Sequence, residues 1–290
     1  MTVKPIIDLQ LLRRRQRRAQ KAAVKGADFL LKYIAQEMDE RLSLIERKFE
    51  NPIQIYGYNQ ALSHQIVSRD QAAEFSYFNH DDQTNDSLEA EALGLNEATF
   101  DLVLSPASLH LTNDTPGFFA QAHKALKEDG LFMASVLGAG TLQELREALL
   151  TAESELYGGA SARVIPFADI RDYGGLLQRA GFALPVIDSD TLTVRYDDVW
   201  ALMRDLRAMG MTNPLTDRNK KPVSKAFFER VNEVYCERFS DPDGRIRASF
   251  TIIYLAGWKP HKSQQKPLKP GSAKTRLSDA LNVDEIKLKN

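Results

Sequence analysis

The stretch from residue 51 to residue 65, NPIQIYGYNQALSHQ, lies where a strand-like segment meets a helix-like segment, which is where α/β proteins often bind a ligand. It begins with alternating isoleucines and ends with helix-favouring residues. In α/β proteins the turn after the first strand often holds a nucleotide, because glycines let the backbone approach the ligand and expose amide groups to it. Here only Gly57 is present, between Tyr56 and Tyr58. The stretch is therefore a cofactor loop, a degraded one or an ordinary turn.

The composition narrows the class of protein. The chain has 290 residues, 43% hydrophobic and 27% charged, which suits one large α/β domain, alone or with appended segments. The net charge of -1 argues against general attraction to DNA. The single cysteine, Cys236, excludes an internal disulfide and a cysteine-based zinc site, and we expect no metal. No apolar run is long enough for a bilayer span and no secretory signal is evident, so we expect a cytoplasmic protein.

Apolar spacing predicts the elements that position the turn. A helix is expected from Ala27 to Phe49, ahead of the first strand. Two clear strands, FDLVLS at 100–105 and LFMASV at 131–136, flank a helix that runs from Phe118 to Lys127. Strand, helix and strand at this spacing predict a right-handed crossover and a parallel sheet.

The second half of the chain predicts further elements. Thr141 with Glu144 three residues later matches a capping box at the start of a helix. Two short strands are expected at 184–187 and 191–194, and a last strand from Phe250 to Trp258.

The ends of the chain differ in character from its middle. Residues 1–26 contain RRRQRRAQK and are interpreted as a basic N-terminal arm, either solvated, touching RNA or a membrane surface, or serving as a targeting peptide. Residues 260–290 are interpreted as a polar, basic, disordered tail, which leaves 27–259 as the folded domain. We expect residues 1–20 and those after about 265 to lack packed contacts.

The stretch FDLVLSPASLHLTNDTPGFFAQAHKALKEDGLFMASVLG resembles strands four to five of class I S-adenosylmethionine (SAM)-dependent methyltransferases. Downstream segments, among them IPFADIRDYGGLLQRAGF and IIYLAGWKPHKSQ, resemble one branch of that superfamily. The branch contains the malonyl-carrier-protein methyltransferase of biotin synthesis and, more closely, the mitochondrial complex I assembly factor of methyltransferase fold. The resemblance implies an α/β, Rossmann-like sheet of seven strands, mostly parallel with an antiparallel last strand and helices on both faces.

The resemblance also implies SAM as cofactor and assigns positions to it. The family's acidic residue at the end of the first strand falls on Gln54, and its three glycines fall on Tyr56, Tyr58 and Gln60, with Gly57 between them. A neutral glutamine does not pair with the cofactor's ammonium as a carboxylate does, and tyrosines add bulk where the ligand lies. This first loop is therefore degraded.

The remaining cofactor positions follow from the same resemblance. Asp81 or Asp82 is the candidate for the ribose hydroxyls, unless their stretch is only a polar surface loop, and Glu89 is the candidate for the adenine. Ser105 and His110 lie at the end of strand four and line the expected pocket. His110 is either a general base, since histidine titrates near neutral pH, or a structural residue that caps the strand. We favour the structural role, and no catalytic residue is assigned.

Three functions are compatible with these features. The first is a methyltransferase-superfamily protein with a degraded SAM loop that acts on or binds a protein substrate. The alternative is a non-methylating assembly factor or protein-modifying enzyme related to respiratory complex I biogenesis. An RNA-associated role rests only on the arginine arm, through which any membrane contact would be peripheral. Whether the chain is an enzyme stays open at this point.

Overall fold

A computed structural model describes residues 4–57, 60–78 and 91–265, together with the single positions 272, 275, 279 and 282. The chain divides into two units, Met1–Pro260 and His261–Asn290. All helices and strands named below belong to the first unit.

Eight α-helices and six β-strands are present in the described residues. The helices are α1 (Leu9–Ala22), α2 (Phe29–Ser43), α3 (Ala61–Ser68), α4 (Thr115–Ala125), α5 (Gln143–Tyr157), α6 (Ile170–Arg179), α7 (Val199–Ala208) and α8 (Lys225–Phe239). The strands are β1 (Pro52–Ile55), β2 (Ser76–Phe78), β3 (Phe100–Ser105), β4 (Leu126–Leu137), β5 (Ala183–Tyr196) and β6 (Ile246–Trp258). A short 3-10 turn, Leu109–Leu111, follows β3.

Short polar side chains define where several helices begin. In each case the side chain accepts a hydrogen bond from a backbone N–H of the first turn, which would otherwise have no partner. The capping residues are Asp8 for α1, Asp114 for α4, Asp169 for α6, Asp198 for α7 and Ser224 for α8.

The six strands form one sheet in the order β2-β1-β3-β4-β6-β5. Strands β2, β1, β3 and β4 pair in parallel, whereas β6 runs antiparallel to both β4 and β5. The expected mostly parallel sheet with an antiparallel last strand is confirmed. Six strands are found among the described residues rather than the seven that the resemblance implies, and residues 79–90, between β2 and β3, lie outside the described residues.

Two apolar cores lie on opposite faces of this sheet. Alternate residues of β3 point to opposite faces, so that Leu102 and Leu104 join one core and Val103 the other. Helices α2, α3, α5, α7 and α8 cover the first face, and α4 with α6 cover the second. The expectation of helices on both faces is confirmed.

The N-terminal residues pack against the domain, so the expectation that residues 1–20 lack packed contacts is wrong. Leu9, Leu11 and Leu12 of α1 are buried, and Ile7 pairs with Leu215 in an antiparallel bridge. Asn113 Oδ1 accepts the backbone N–H groups of residues 6 and 7, both at 2.8 Å. The arginines dominate the composition of this segment and led to the prediction of a solvated arm, although its leucines are buried.

Three local expectations also differ from the structure. Helix α2 ends at Ser43, because Phe49 forms a parallel bridge with Ala72 instead of a sixth helical turn. The two strands expected at 184–187 and 191–194 are one continuous strand, β5, since long pairing with β6 overrides the polar residues between them. These differences do not change the order of the sheet.

The expected capping box at α5 is absent. Thr141 and Thr251 exchange two hydrogen bonds of 3.1 Å, and Glu144 accepts from the Ser249 hydroxyl at 2.5 Å. Both residues of the expected box therefore attach α5 to β6 rather than to the helix's own first turn.

No helix in the described part of the chain is long and apolar enough to cross a bilayer.

Candidate functional site

The turn after β1 keeps a backbone shape that normally requires glycine. Tyr56 has φ of +58° and Gly57 has φ of +110°. The left-handed region costs a non-glycine residue about 1–2 kcal/mol, because its Cβ approaches the following carbonyl. Side-chain packing must therefore compensate for this cost at Tyr56.

Tyr56 is buried, with 1% of its surface exposed. Its ring centroid lies 5.9 Å from that of Phe118 on α4 and 6.1 Å from that of Phe78 at the end of β2. Its backbone N–H also donates to the Phe78 carbonyl at 2.6 Å. The residue predicted to take the place of the family's first glycine thus carries a ring that belongs to the apolar core.

The neighbouring positions bring two strand ends into close contact. Gln54 is 2% exposed, and its Nε2 donates to the Tyr56 carbonyl at 3.3 Å. A Cβ placed on Gly57 would lie 2.9 Å from Gln54 Nε2 and 3.1 Å from Pro106 Cγ, beyond the end of β3. Gln54, Tyr56 and Gly57 are called the β1 corner below.

Ser105, at the end of β3, is fully buried and bonded within the protein. Its hydroxyl lies 2.9 Å from the hydroxyl of Ser108. The backbone N–H of Ala107 donates to the Ser135 hydroxyl at 2.9 Å, which fixes the same turn from the side of β4. Ser105 therefore holds the turn that leads to His110.

Three predicted cofactor residues, Tyr58, Asp81 and Glu89, lie outside the described residues. Of the described ones, Gln54, Tyr56 and Gly57 lie in the β1 corner, Ser105 is buried at the end of β3, and His110 lies in a cavity. No group of three or more potential metal ligands occurs in the described ranges.

A cavity of about 370 Å³ opens beyond the 3-10 turn that follows β3. It is enclosed by that turn, by α1, α5 and α7, and by the loop that follows α7. Its wall is largely apolar, with Leu12, Leu145, Met203 and Phe228 among the lining residues. Pockets of this size and character are typical of small-molecule sites.

His110 lies at the inner wall of the cavity. Its Nδ1 is 3.4 Å from the backbone N–H of Leu137, a weak hydrogen bond in which the imidazole accepts, and its ring lies 5.9 Å from the Phe167 ring. An accepting Nδ1 places the proton of the neutral ring on Nε2. Burial lowers the pKa of His110 to about 3, so the ring is neutral at physiological pH. A base of that strength is poorly matched to proton abstraction at neutral pH, which favours the structural role.

Arginines give the cavity a positive charge. Arg15, Arg163, Arg207 and Arg218 line it, and no aspartate or glutamate is among its described lining residues. Arg163 pairs with the buried carboxylate of Glu153 at 2.6 Å, and Arg218 with Asp8 at 3.2 Å.

Arg15 is partly buried and forms no ion pair with any described residue. It donates to the Asn213 carbonyl, and its pKa is lowered mainly by burial and next by the charge of Arg218. Asp8 also attracts Arg15, but that carboxylate is bonded to Arg218. Arg15 was not predicted as a site residue, although Asp8 followed by Leu9 and Leu12 is a helix-start pattern that places it on a packed helix.

A strand order with one antiparallel strand inserted next to the last edge, helices on both faces and a cavity after the third described strand defines a methyltransferase-type fold. A solved structure from Bacillus halodurans C-125, assigned as a methyltransferase, matches it with a TM-score of 0.50 at 14% identity, covering 78% of this chain and 98% of that one. At this identity the match concerns the fold alone.

Residues 15–185 match the family described as "Methyltransferase domain", and the chain belongs to that family. It is 42% identical over 194 residues to "Arginine-hydroxylase NDUFAF5, mitochondrial" of Dictyostelium discoideum, covering 67% of this chain and 44% of that protein. It is 37% identical over 172 residues to "Malonyl-[acyl-carrier protein] O-methyltransferase" of Gallionella capsiferriformans, covering 59% and 57% respectively. The chain thus spans about half the length of these relatives, and the predicted resemblance to the branch that contains both is confirmed.

Proposed function

We propose that this protein acts on or binds a protein partner and does not hold SAM in the manner usual for its family. The observation that carries the proposal is the buried ring of Tyr56 in the first loop. It occupies a position at which the family uses glycine, and it packs against Phe78 and Phe118.

The residues present in the β1 corner do not fit the cofactor. Gln54 offers an amide where the family offers a carboxylate, and that amide already donates to the Tyr56 carbonyl. Moving Tyr56 aside would expose a core aromatic ring. A combined loss of about 4 kcal/mol would turn a micromolar dissociation constant into a roughly millimolar one.

Support for a protein partner comes from the relatives. The more similar group carries the name arginine-hydroxylase rather than methyltransferase, which shows that members with this fold are assigned chemistry other than methyl transfer. A partner protein related to respiratory complex I biogenesis follows from the same resemblance. The location remains a prediction, because those relatives are named mitochondrial whereas the sequence led us to expect the cytoplasm.

Calorimetric titration of the purified protein with SAM and with S-adenosylhomocysteine tests the proposal. We expect no binding at micromolar concentration. A methyltransferase of the same fold with an intact glycine loop serves as the positive control. The variant Gln54→Asp/Tyr56→Gly restores the carboxylate and one glycine, and circular dichroism shows whether it folds. Micromolar binding by the unmodified protein would contradict the proposal whatever the variant does.

A further inference from the structure

We propose that the cavity beside His110 binds a small amphiphile that has an anionic carboxylate or phosphate head and an apolar body. This site is separate from the β1 corner, so the proposal holds whether or not SAM binds. It rests on the charge of the cavity wall, on the apolar character of its interior and on its size.

The anionic head follows from the arginines. Arg163 and Arg218 each have a carboxylate partner, whereas neither Arg15 nor Arg207 forms an ion pair with any described residue. Arg15 uses one of its five N–H donors on the Asn213 carbonyl, and Arg207 is exposed at the cavity. A partly buried guanidinium group that lacks a counter-charge, such as that of Arg15, favours a ligand that brings one in charge-assisted hydrogen bonds, and the exposed Arg207 can add to the attraction.

The apolar body follows from the rest of the wall. Leucine and methionine side chains from α1, α5 and α7 surround the space, and Phe228 of α8 faces it. At about 30 Å³ for each water-sized unit, a cavity of about 370 Å³ admits roughly a dozen non-hydrogen atoms. An unbranched ten-carbon carboxylate has this size.

The same charge disfavours an arginine side chain as the occupant. A guanidinium group in the cavity would meet Arg15, Arg207 and Arg218 and would find no carboxylate among the described lining residues. Like charges at these distances repel, and the surrounding apolar wall weakens solvent screening. If a partner's arginine is acted upon, it therefore enters elsewhere.

Isothermal titration of the full chain with decanoate tests the proposal, with decyl phosphate, decanol and decylamine as matched ligands. Phe228 lies 5.3 Å from Trp200 between ring centroids, so tryptophan fluorescence provides a second readout. We expect decanoate or decyl phosphate to bind at least tenfold more tightly than decanol, and decylamine not to bind. The stronger of the two anions identifies the head group as carboxylate or phosphate.

Two variants link binding to the named residues. Arg15→Gln should weaken binding of the anion about tenfold, and Arg207→Gln, which disturbs no buried contact, about threefold. Arg14→Gln is the matched control, because Arg14 is exposed on the same helix and does not line the cavity. Equal binding of decanol and the anions, binding of decylamine, absence of binding by both anions, or unchanged binding in both cavity variants would each overturn the proposal.

Discussion

The β1 corner and the cavity lie beyond the carboxyl ends of neighbouring strands in one sheet, yet they have opposite properties. In the β1 corner an aromatic ring and an amide fill the space, and a hypothetical methyl group on Gly57 would already be crowded. In the cavity, apolar and cationic side chains surround open space. The difference shows that neighbouring strands of one sheet can end in a filled corner and beside an open space.

The largest effect expected from this contrast is on stability at the β1 corner. Tyr56→Ala should lower the free energy of unfolding by about 3 kcal/mol, because it removes a buried aromatic side chain that no ligand replaces. Urea unfolding measures the change. Tyr157→Ala is the control, since that side chain is 54% exposed, and it should cost much less. Equal effects of the two substitutions would show that Tyr56 is not part of the core.

The burial of His110 at the cavity should make the free energy of unfolding depend on pH. The pKa of His110 is lowered to about 3 in the folded state, so between pH 6.5 and 3 the unfolded chain binds a proton that the folded chain does not. Stability should therefore fall as pH decreases through this window. At pH 5 the loss attributable to His110 is about 2 kcal/mol relative to pH 7.

His110→Gln isolates this contribution. The difference in unfolding free energy between the variant and the unmodified protein should shift by that amount between pH 7 and pH 5, because other titrating groups cancel in the subtraction. A difference that is independent of pH would mean that His110 titrates normally.

A smaller effect is expected from crowding in the β1 corner. Gly57→Ala should cost about 1–2 kcal/mol, because its φ of +110° is unfavourable for alanine. Met203→Phe, in the cavity wall, is the matched enlargement and should be close to neutral because adjacent space can accept the added atoms. Thermal melts of both variants make the comparison. A costly change at Met203 and a neutral one at Gly57 would reverse the contrast between the two regions.

The smallest effect concerns the wall that α1 contributes to the cavity. Asn113→Ala removes the acceptor of two backbone N–H groups and should cost about 1 kcal/mol, because these groups are partly solvated. Asn113→Gln is the control, because it keeps an amide that can accept from this segment and donate to the Ile7 carbonyl, without a new charge beside Glu91. Hydrogen exchange at residues 6 and 7 should accelerate only in the alanine variant, and unchanged exchange there would show that Asn113 does not anchor the segment.

The sheet could be predicted largely from sequence, because strands such as FDLVLS are apolar throughout and their order follows the family resemblance. The capping role of Thr141 and Glu144 could not, since both are used in bonds to β6, more than 100 residues away along the chain. The residue types of the first loop, with Gly57 between two tyrosines, led to the prediction of a degraded loop. The left-handed backbone of Tyr56 and its place in the core could not be predicted from the sequence, because packing rather than local preference decides both.

The cavity was not predictable for a related reason. Its residues come from segments far apart in sequence, and only Arg15 and His110 had drawn attention, one as part of a basic arm and the other as a pocket residue. The arginines of residues 13–18 suggested a solvated surface. Leu9 and Leu12 are buried on one side of the same helix and indicate a packed helix, but they are fewer than the arginines.

The attachment of α1 has a consequence for synthesis on the ribosome. The hydroxyl of Thr216 donates to the carbonyl of Pro5 across 211 residues of sequence, and Leu12 packs in the same cluster as Leu215. At about 5–20 residues per second, the first helix leaves the ribosome roughly 10–40 s before its partners are made. During that interval the leucines of α1 are exposed next to its cluster of arginines. A chaperone can bind the leucines, and an acidic surface can bind the arginines. The cavity is therefore completed late in folding, after the segments that pack against α1 have been synthesised.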